Sequence, residues 1–214
     1  MKKSFRDFVQ ALDDAGEMLR VEKPVDMRRL SALMSQSDKA VMFEHIVDYP
    51  DWRVAGALIT SRARLAIALD CGAGEIAAQF EKRAARPIDP EIVDSGPCQD
   101  VVLEGDDVDL SALPFPIMHL FDGGPYISGT FVVSKDPEYG RNCGSYRMMY
   151  RTPTETGIDL VSPSDMRFYY QRALDQGKPL EIAVAVGVHP YEMLAASYKA
   201  PIRTDELSIA GGLH

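Results

Sequence analysis

Between residues 122 and 147 the chain dictates much of its own local geometry. Asp122-Gly-Gly-Pro-Tyr-Ile-Ser128 is dense in turn formers, Thr130-Phe-Val-Val133 is a short apolar run, and Asp136-Pro-Glu-Tyr-Gly-Arg-Asn-Cys-Gly-Ser-Tyr-Arg147 turns again. An apolar run bounded in this way reads as a strand over 129–135, and Asp136–Gly140 reads as the hairpin turn that follows it. The returning strand is expected over 143–151. A regular strand there would point Cys143, Ser145 and Arg147 one way and Asn142, Gly144 and Tyr146 the other. A site that uses both Asn142 and Arg147 therefore needs a bulge or turn, which Gly144 permits. The same segment delivers an amide, a hydroxyl and a guanidinium within six residues. Asn both donates and accepts, Arg presents a rigid fork, and glycine lets backbone approach a ligand closely. The combination suits an anionic ligand.

Upstream, residues 4–20 read as an amphipathic helix, with Ser4 as N-cap and Gly16 as its C-terminal signal. Strands are expected over 19–23, 41–47 and 52–58. Helices are expected over 30–37, from the Ser61 cap to Leu69, and over 75–86. This alternation predicts an α/β unit over residues 1–95. Residues 87–99 are rich in Pro and Gly without a period and mark the domain boundary. Beyond it strands dominate, at 100–103, 129–135, 143–151, 157–161 and 180–188. Helices are expected over 165–176 and 191–200. The fold class is thus α+β, with a second, barrel-like or open-sheet domain over 96–214.

Composition narrows the functions available. A formal net charge of −9 with a pI near 4.9 argues against broad nucleic-acid or anionic-membrane binding, which needs a basic footprint. Any phosphate site must be local and preorganised. No apolar window reaches 18 residues, so no membrane-spanning helix is expected. The basic start lacks an apolar stretch after it, which points to the cytoplasm. Cys71, Cys98 and Cys143 are far apart and read as free thiols, not a zinc site. No P-loop, GxGxxG, HExxH or nucleophile elbow is present. His45, His119 and His189 read as structural. Ser162-Pro-Ser-Asp165 reads as a helix start, where a cap and an anion site can coincide. Asp205-Glu206 alone would be a solvated acidic pair, yet carboxylates are the preferred protein ligands of hard cations.

The assembled motifs closely resemble the UbiD family of prenylated-flavin-dependent decarboxylases. The matching residues run from Phe5-Arg-Asp-Phe8 through Trp52-Arg-Val, Ser61-Arg-Ala-Arg-Leu65, Asp109-Leu-Ser-Ala-Leu-Pro114, Asp122-Gly-Gly-Pro-Tyr-Ile127 and Asp136-Pro137. They continue through Asn142-x-Gly-x-Tyr-Arg147, Gly187-x-x-Pro190 and Asp205-Glu-Leu-x-x-Ala-Gly211. The resemblance implies that residues 96–214 form a flavin-binding split β-barrel, incomplete at its C-terminal end. It implies prenylated FMN held through its phosphate by a divalent metal, typically manganese, with potassium nearby. Asn142, Cys143, Gly144, Ser145, Tyr146 and Arg147 match the loop around the cofactor. Ser164 and Asp165 match a further cofactor contact. Asn142 and Glu206 match metal ligands, and Asp165 stands where some members carry a metal-binding His. Arg147 matches the residue that orients the reacting carboxylate.

The expected activity is reversible decarboxylation of an aromatic or α,β-unsaturated carboxylic acid. The resemblance places the acid/base carboxylate and the oligomerisation region beyond the position of His214. The expected partners are therefore further copies of the chain or a complementary C-terminal subunit, besides the small-molecule acid. The other reading is a non-catalytic accessory subunit that binds a full-length decarboxylase.

Overall fold

The computed structural model describes residues 4–214; the basic start, residues 1–3, lies outside them. The first helix, α1 (Phe5–Asp14), begins at a reciprocal cap. The Asp7 amide donates to Ser4 Oγ at 3.2 Å while the Ser4 amide donates to Asp7 Oδ2 at 2.7 Å. Phe8 and Leu12, one helical turn apart, are its buried face. Strands β1 (Met18–Val21) and β2 (Ala40–Phe43) pair in parallel, and β3 (Val54–Gly56) adds an antiparallel edge to β2. All four residues of β2 are buried, as a central strand covered on both faces requires. Helices α2 (Leu30–Met34), α3 (Arg62–Leu69) and α4 (Ile76–Ala84) complete this half. Ser61 caps α3 as its sequence predicts, its Oγ accepting the Arg64 amide at 3.2 Å.

The second half contains two further three-stranded sheets. One runs β4 (Tyr126–Ile127), β7 (Met148–Thr152), β8 (Glu155–Ile158); the other runs β6 (Gly140–Gly144), β5 (Thr130–Asp136), β9 (Ile182–Val186). All their pairings are antiparallel. Ile127, Val132, Met148 and Met166 form the core where both sheets meet α5 (Asp165–Asp175). Helices α6 (Pro190–Ser197) and α7 (Glu206–Leu213) then return to the first half. Ala66, Leu69 and Ile76 share one core with Tyr191, Ala195, Ile209, Ala210 and Leu213.

Several expectations need correction. The single strand expected over 143–151 is two strands in different sheets, broken at residues 145–147. The run 100–103 forms no strand; Val101, Val102 and Leu103 are exposed between acidic neighbours and find no partner strand. The first helix stops at Asp14, well short of residue 20. Helix α7 was unexpected. Among the described residues the two small sheets do not close into a barrel.

Helix α5 is tied to the β5–β6 turn by charge. Buried Asp136 takes the Arg172 Nε–H at 2.9 Å and the amides of Glu138 (2.8 Å) and Tyr139 (3.0 Å). Burial pushes its carboxyl upward, but these donors outweigh burial and hold it below the ordinary aspartate range. Its stabilising contribution is therefore present above the unfolded-state value near 3.8 and is lost as pH falls through the depressed folded value. Asp136→Ala is expected to cost about 1–3 kcal/mol at pH 7, the usual range for orphaning buried partners. Urea melts at pH 7 and pH 3 check this: the gap between wild type and variant should narrow in acid, and a gap that is unchanged or wider contradicts it.

Candidate functional site

The outer edge of β6 is where the second half places its polar chemistry. Helix α7 approaches that edge with its N-terminus, and three contacts fix it there. Asp205 caps the helix by accepting the Leu207 amide at 2.9 Å, and its Oδ2 takes Arg141 Nε–H at 2.9 Å and Nη2 at 2.7 Å. Glu206 Oε2 accepts the Cys143 amide at 2.7 Å, and Glu206 Oε1 accepts Asn142 Nδ2–H at 3.3 Å. Asp205-Glu206 is thus not a solvated pair, for Glu206 is only 3% exposed.

A carboxylate can only accept, so Asn142 must turn its Nδ2 toward Glu206 and its Oδ1 away. Asn142 is itself buried, and Oδ1 has no hydrogen-bond partner among the described residues. Burial pushes the Glu206 carboxyl above the ordinary glutamate range, against the pull of the Cys143 N–H, and the negative fields of Asp165 and Asp205 add to the rise. Two features therefore call for positive charge: an unpaired amide oxygen and a carboxylate kept from water. Asp165 opens α5 behind its Ser164 cap and acts on Glu206 through its field, without direct contact. No group of three or more His, Cys, Asp or Glu side chains is arranged to hold a metal among the described residues.

Residues 145–147 leave β6 and cross to the other sheet, lining a cleft of about 250 Å³ with Asp159, Ser162 and Ser164. The crossing depends on Gly144, where a Cβ would lie 2.5 Å from the Tyr146 ring. Thr130 anchors the crossing through its hydroxyl, which donates to the Tyr146 carbonyl and accepts the Tyr146 amide at 3.3 Å. Tyr146 is half-buried, and burial raises its phenol above the usual range despite the Ser164 hydroxyl beside it. Arg147 is 73% exposed and paired with Asp159: its Nε–H donates to Oδ2 at 2.7 Å and its Nη2 lies 2.5 Å from the same atom. The Val161 amide and then Arg147 hold the Asp159 carboxyl below the ordinary range.

The structure thus brings together Asn142 and Glu206 as one cluster, and Ser145, Tyr146, Arg147 and Ser164 as one cleft, with Asp165 near both. Cys143 contributes its amide; its buried thiol is pushed up to about 12 and is no nucleophile. Cys71, Cys98 and Cys143 are all free. His189 caps α6 and packs edge-on against Phe8 at 5.4 Å. Sequence reasoning missed Asp159, Ser162 and Arg141. No local signal marks Asp159 or Arg141, and Ser162 stands out only as part of a helix start, where a cap and an anion site can coincide. No described helix is long and apolar enough to cross a membrane.

Comparison with known proteins agrees along the whole chain. Residues 9–84 match the 3-octaprenyl-4-hydroxybenzoate carboxy-lyase N-terminal domain, and residues 91–214 match the Rift-related domain of the same carboxy-lyase. Anhydromevalonate phosphate decarboxylase of Methanothermobacter thermautotrophicus is 28% identical over 210 residues, covering 98% of this chain and 48% of that protein. Phenolic acid decarboxylase of Sedimentibacter hydroxybenzoicus is 27% identical, covering 99% and 48%. An evolved dimeric form of the UbiD-class enzyme HmfF from Pelotomaculum thermopropionicum, in complex with prFMN, superposes with a TM-score of 0.93 at 30% identity, over 100% of this chain and 51% of that one. The vanillic acid decarboxylase ShVdcCD of Sedimentibacter hydroxybenzoicus, in its closed form, also gives 0.93, at 27% identity. The chain spans about half the length of the curated relatives it matches. With both of its halves matched and its fold shared from end to end, this chain belongs to the UbiD family.

Proposed function

We propose that this chain holds prenylated FMN for the reversible decarboxylation of an aromatic or α,β-unsaturated carboxylic acid. In this reading Asn142 and Glu206 at the β6 edge would hold a divalent metal, manganese by analogy with the family, which would supply positive charge for the cofactor phosphate, and potassium would be a second cation. One observation carries the reading: the unpaired, buried Asn142 Oδ1 stands beside the buried Glu206 carboxylate. Hard cations take carboxylate and amide oxygens together, so these residues fit the group. Asp165 and Ser164, at the start of α5, would stand on the other side of it, and residues 143–146 would flank the flavin.

When bound, prenylated FMN supplies the electron sink for loss of CO₂. The chain's own residues supply position and field. Arg147 orients the substrate carboxylate by charge-assisted hydrogen bonds. Its Nε and Nη2 already rest on Asp159, which leaves Nη1 and the outer edge of the fork for the substrate. The proton donor is assigned to polypeptide outside these 214 residues, from a longer chain or a companion subunit. The outward strand β9, with Ile182, Val184 and Val186 exposed, supports burial against such polypeptide or another copy.

The test is to co-express the chain with a flavin prenyltransferase, desalt it, and measure flavin absorbance and manganese content. Flavin and manganese in comparable amounts support the reading. Colourless, metal-free protein contradicts it and favours the accessory-subunit reading. Full turnover by the isolated chain would contradict the placement of the proton donor.

A further inference from the structure

Ser134 of β5 lies directly opposite Asn142 of β6 in the antiparallel register. Cross-strand partners project from one face of a sheet, their Cβ atoms about 4.5–5.5 Å apart. Ser134 is 2% exposed, and its Oγ, like Asn142 Oδ1, has no hydrogen-bond partner among the described residues. Buried polar groups are nearly always paired, and each exception asks for a reason. Here two exceptions stand side by side.

The alternation of β5 shows what covers that face. Val132 and Asp136, two residues either side of Ser134, share its face. Val132 packs with Met166 of α5, and Asp136 pairs with Arg172 of α5. Ser134 and Asn142 therefore face the recess beneath α5, between the positions of Met166 and Arg172. Glu206 closes the recess from the α7 side through Asn142. No group of three or more His, Cys, Asp or Glu is arranged to hold a metal among the described residues. A hard cation binding in such a place must complete its shell with neutral oxygens.

We propose that Ser134 Oγ is one of these oxygens, completing the shell of a divalent cation held by Asn142 Oδ1 and Glu206. This rests on the cation reading given above. It makes Ser134 a metal-site residue instead of an unexplained buried hydroxyl in a sheet.

The test uses the purified chain without flavin, titrated with manganese(II) chloride while free Mn²⁺ is counted by electron paramagnetic resonance. Ser134→Ala is expected to weaken Mn²⁺ binding by about 10–100-fold, the range for partners that support a metal site. Its metal-free melting temperature should stay level or rise, because an unpaired buried hydroxyl has been removed. Ser134→Cys, which keeps the size of the side chain but offers a soft sulfur, should lose Mn²⁺ affinity as well. Wild-type affinity in either variant overturns the role of Ser134, as does a large fall in metal-free stability of the alanine variant. If those variants bind like wild type while Asn142→Ala does not, the cation site stands without Ser134. If wild-type protein takes up no Mn²⁺, the cation reading itself fails.

Discussion

Asn142→Ala is expected to lose flavin and manganese on dialysis, with metal affinity down by about 10–100-fold or more, since even supporting partners of a metal cost that much. The loss has two origins. The variant removes a buried amide oxygen that lacks a partner among the described residues, and it removes the Nδ2–H that steadies Glu206. Arg147→Ala should behave in the opposite way. Its side chain lies in the exposed cleft with Asp159, apart from the Asn142–Glu206 contact, so flavin and metal should stay. Decarboxylation in a complete enzyme should fall by about 10²–10³-fold, the range for deleting one preorganised donor at a reacting centre. Arg147→Lys should rescue only in part, because a point charge cannot reproduce the fork that Asp159 now holds. Absorbance and metal content after desalting, set beside activity, separate the two variants. Stoichiometric flavin and manganese in Asn142→Ala would remove the β6 edge from the metal site.

Gly211→Ala combined with Gly212→Ala is expected to destabilise the protein strongly, against what helix propensity alone predicts. Two Gly→Ala changes inside a helix should together gain about 2 kcal/mol on propensity. The packing forbids it. A Cβ at Gly211 would sit 2.2 Å from the Ile88 carbonyl oxygen, and one at Gly212 would sit 2.6 Å from that of Arg86 and 2.7 Å from that of Arg83. Backbone cannot rotate aside as a side chain can, and overpacking typically costs about 1–3 kcal/mol per site. The same surface is held by the Ile88 amide on the Ser208 carbonyl at 2.9 Å and by Ser208 Oγ–H on Asp89 at 2.8 Å. Unseating α7 withdraws Glu206 from β6, so Mn²⁺ affinity should fall with stability. A raised melting temperature in the double variant would show that α7 does not pack as described.

Much of the fold could be read along the chain because its signals are local. The Ser61 cap, the Asp136–Gly140 turn and the apolar run of β5 each depend on neighbours a few residues away. Strand 143–151 was misjudged because its break lies in tertiary structure: the Tyr146 ring closes over Gly144 and Thr130 grips the Tyr146 backbone from another strand. The run 100–103 has strand-forming residues but no partner, and pairing is what stabilises a strand. No helix is expected over 206–213, where Gly211 and Gly212 lower helix propensity; the backbone packed against them is what makes glycine fit there. In the site, Asn142 and Arg147 stood out by composition. Glu206 did not, since its partners lie 63 and 64 residues away. Asp159 and Ser134 carry no sequence signal at all; register and burial alone single them out.

The most direct measurement is anomalous X-ray diffraction at the manganese edge, from crystals of the protein grown with FMN and manganese(II). A peak within coordination distance of Asn142 Oδ1 and the Glu206 carboxylate, beneath α5, is the result expected. A manganese peak elsewhere, with Asn142 Oδ1 and the Glu206 carboxylate free of metal, would contradict the assignment of this edge as the place where the cofactor's metal is held.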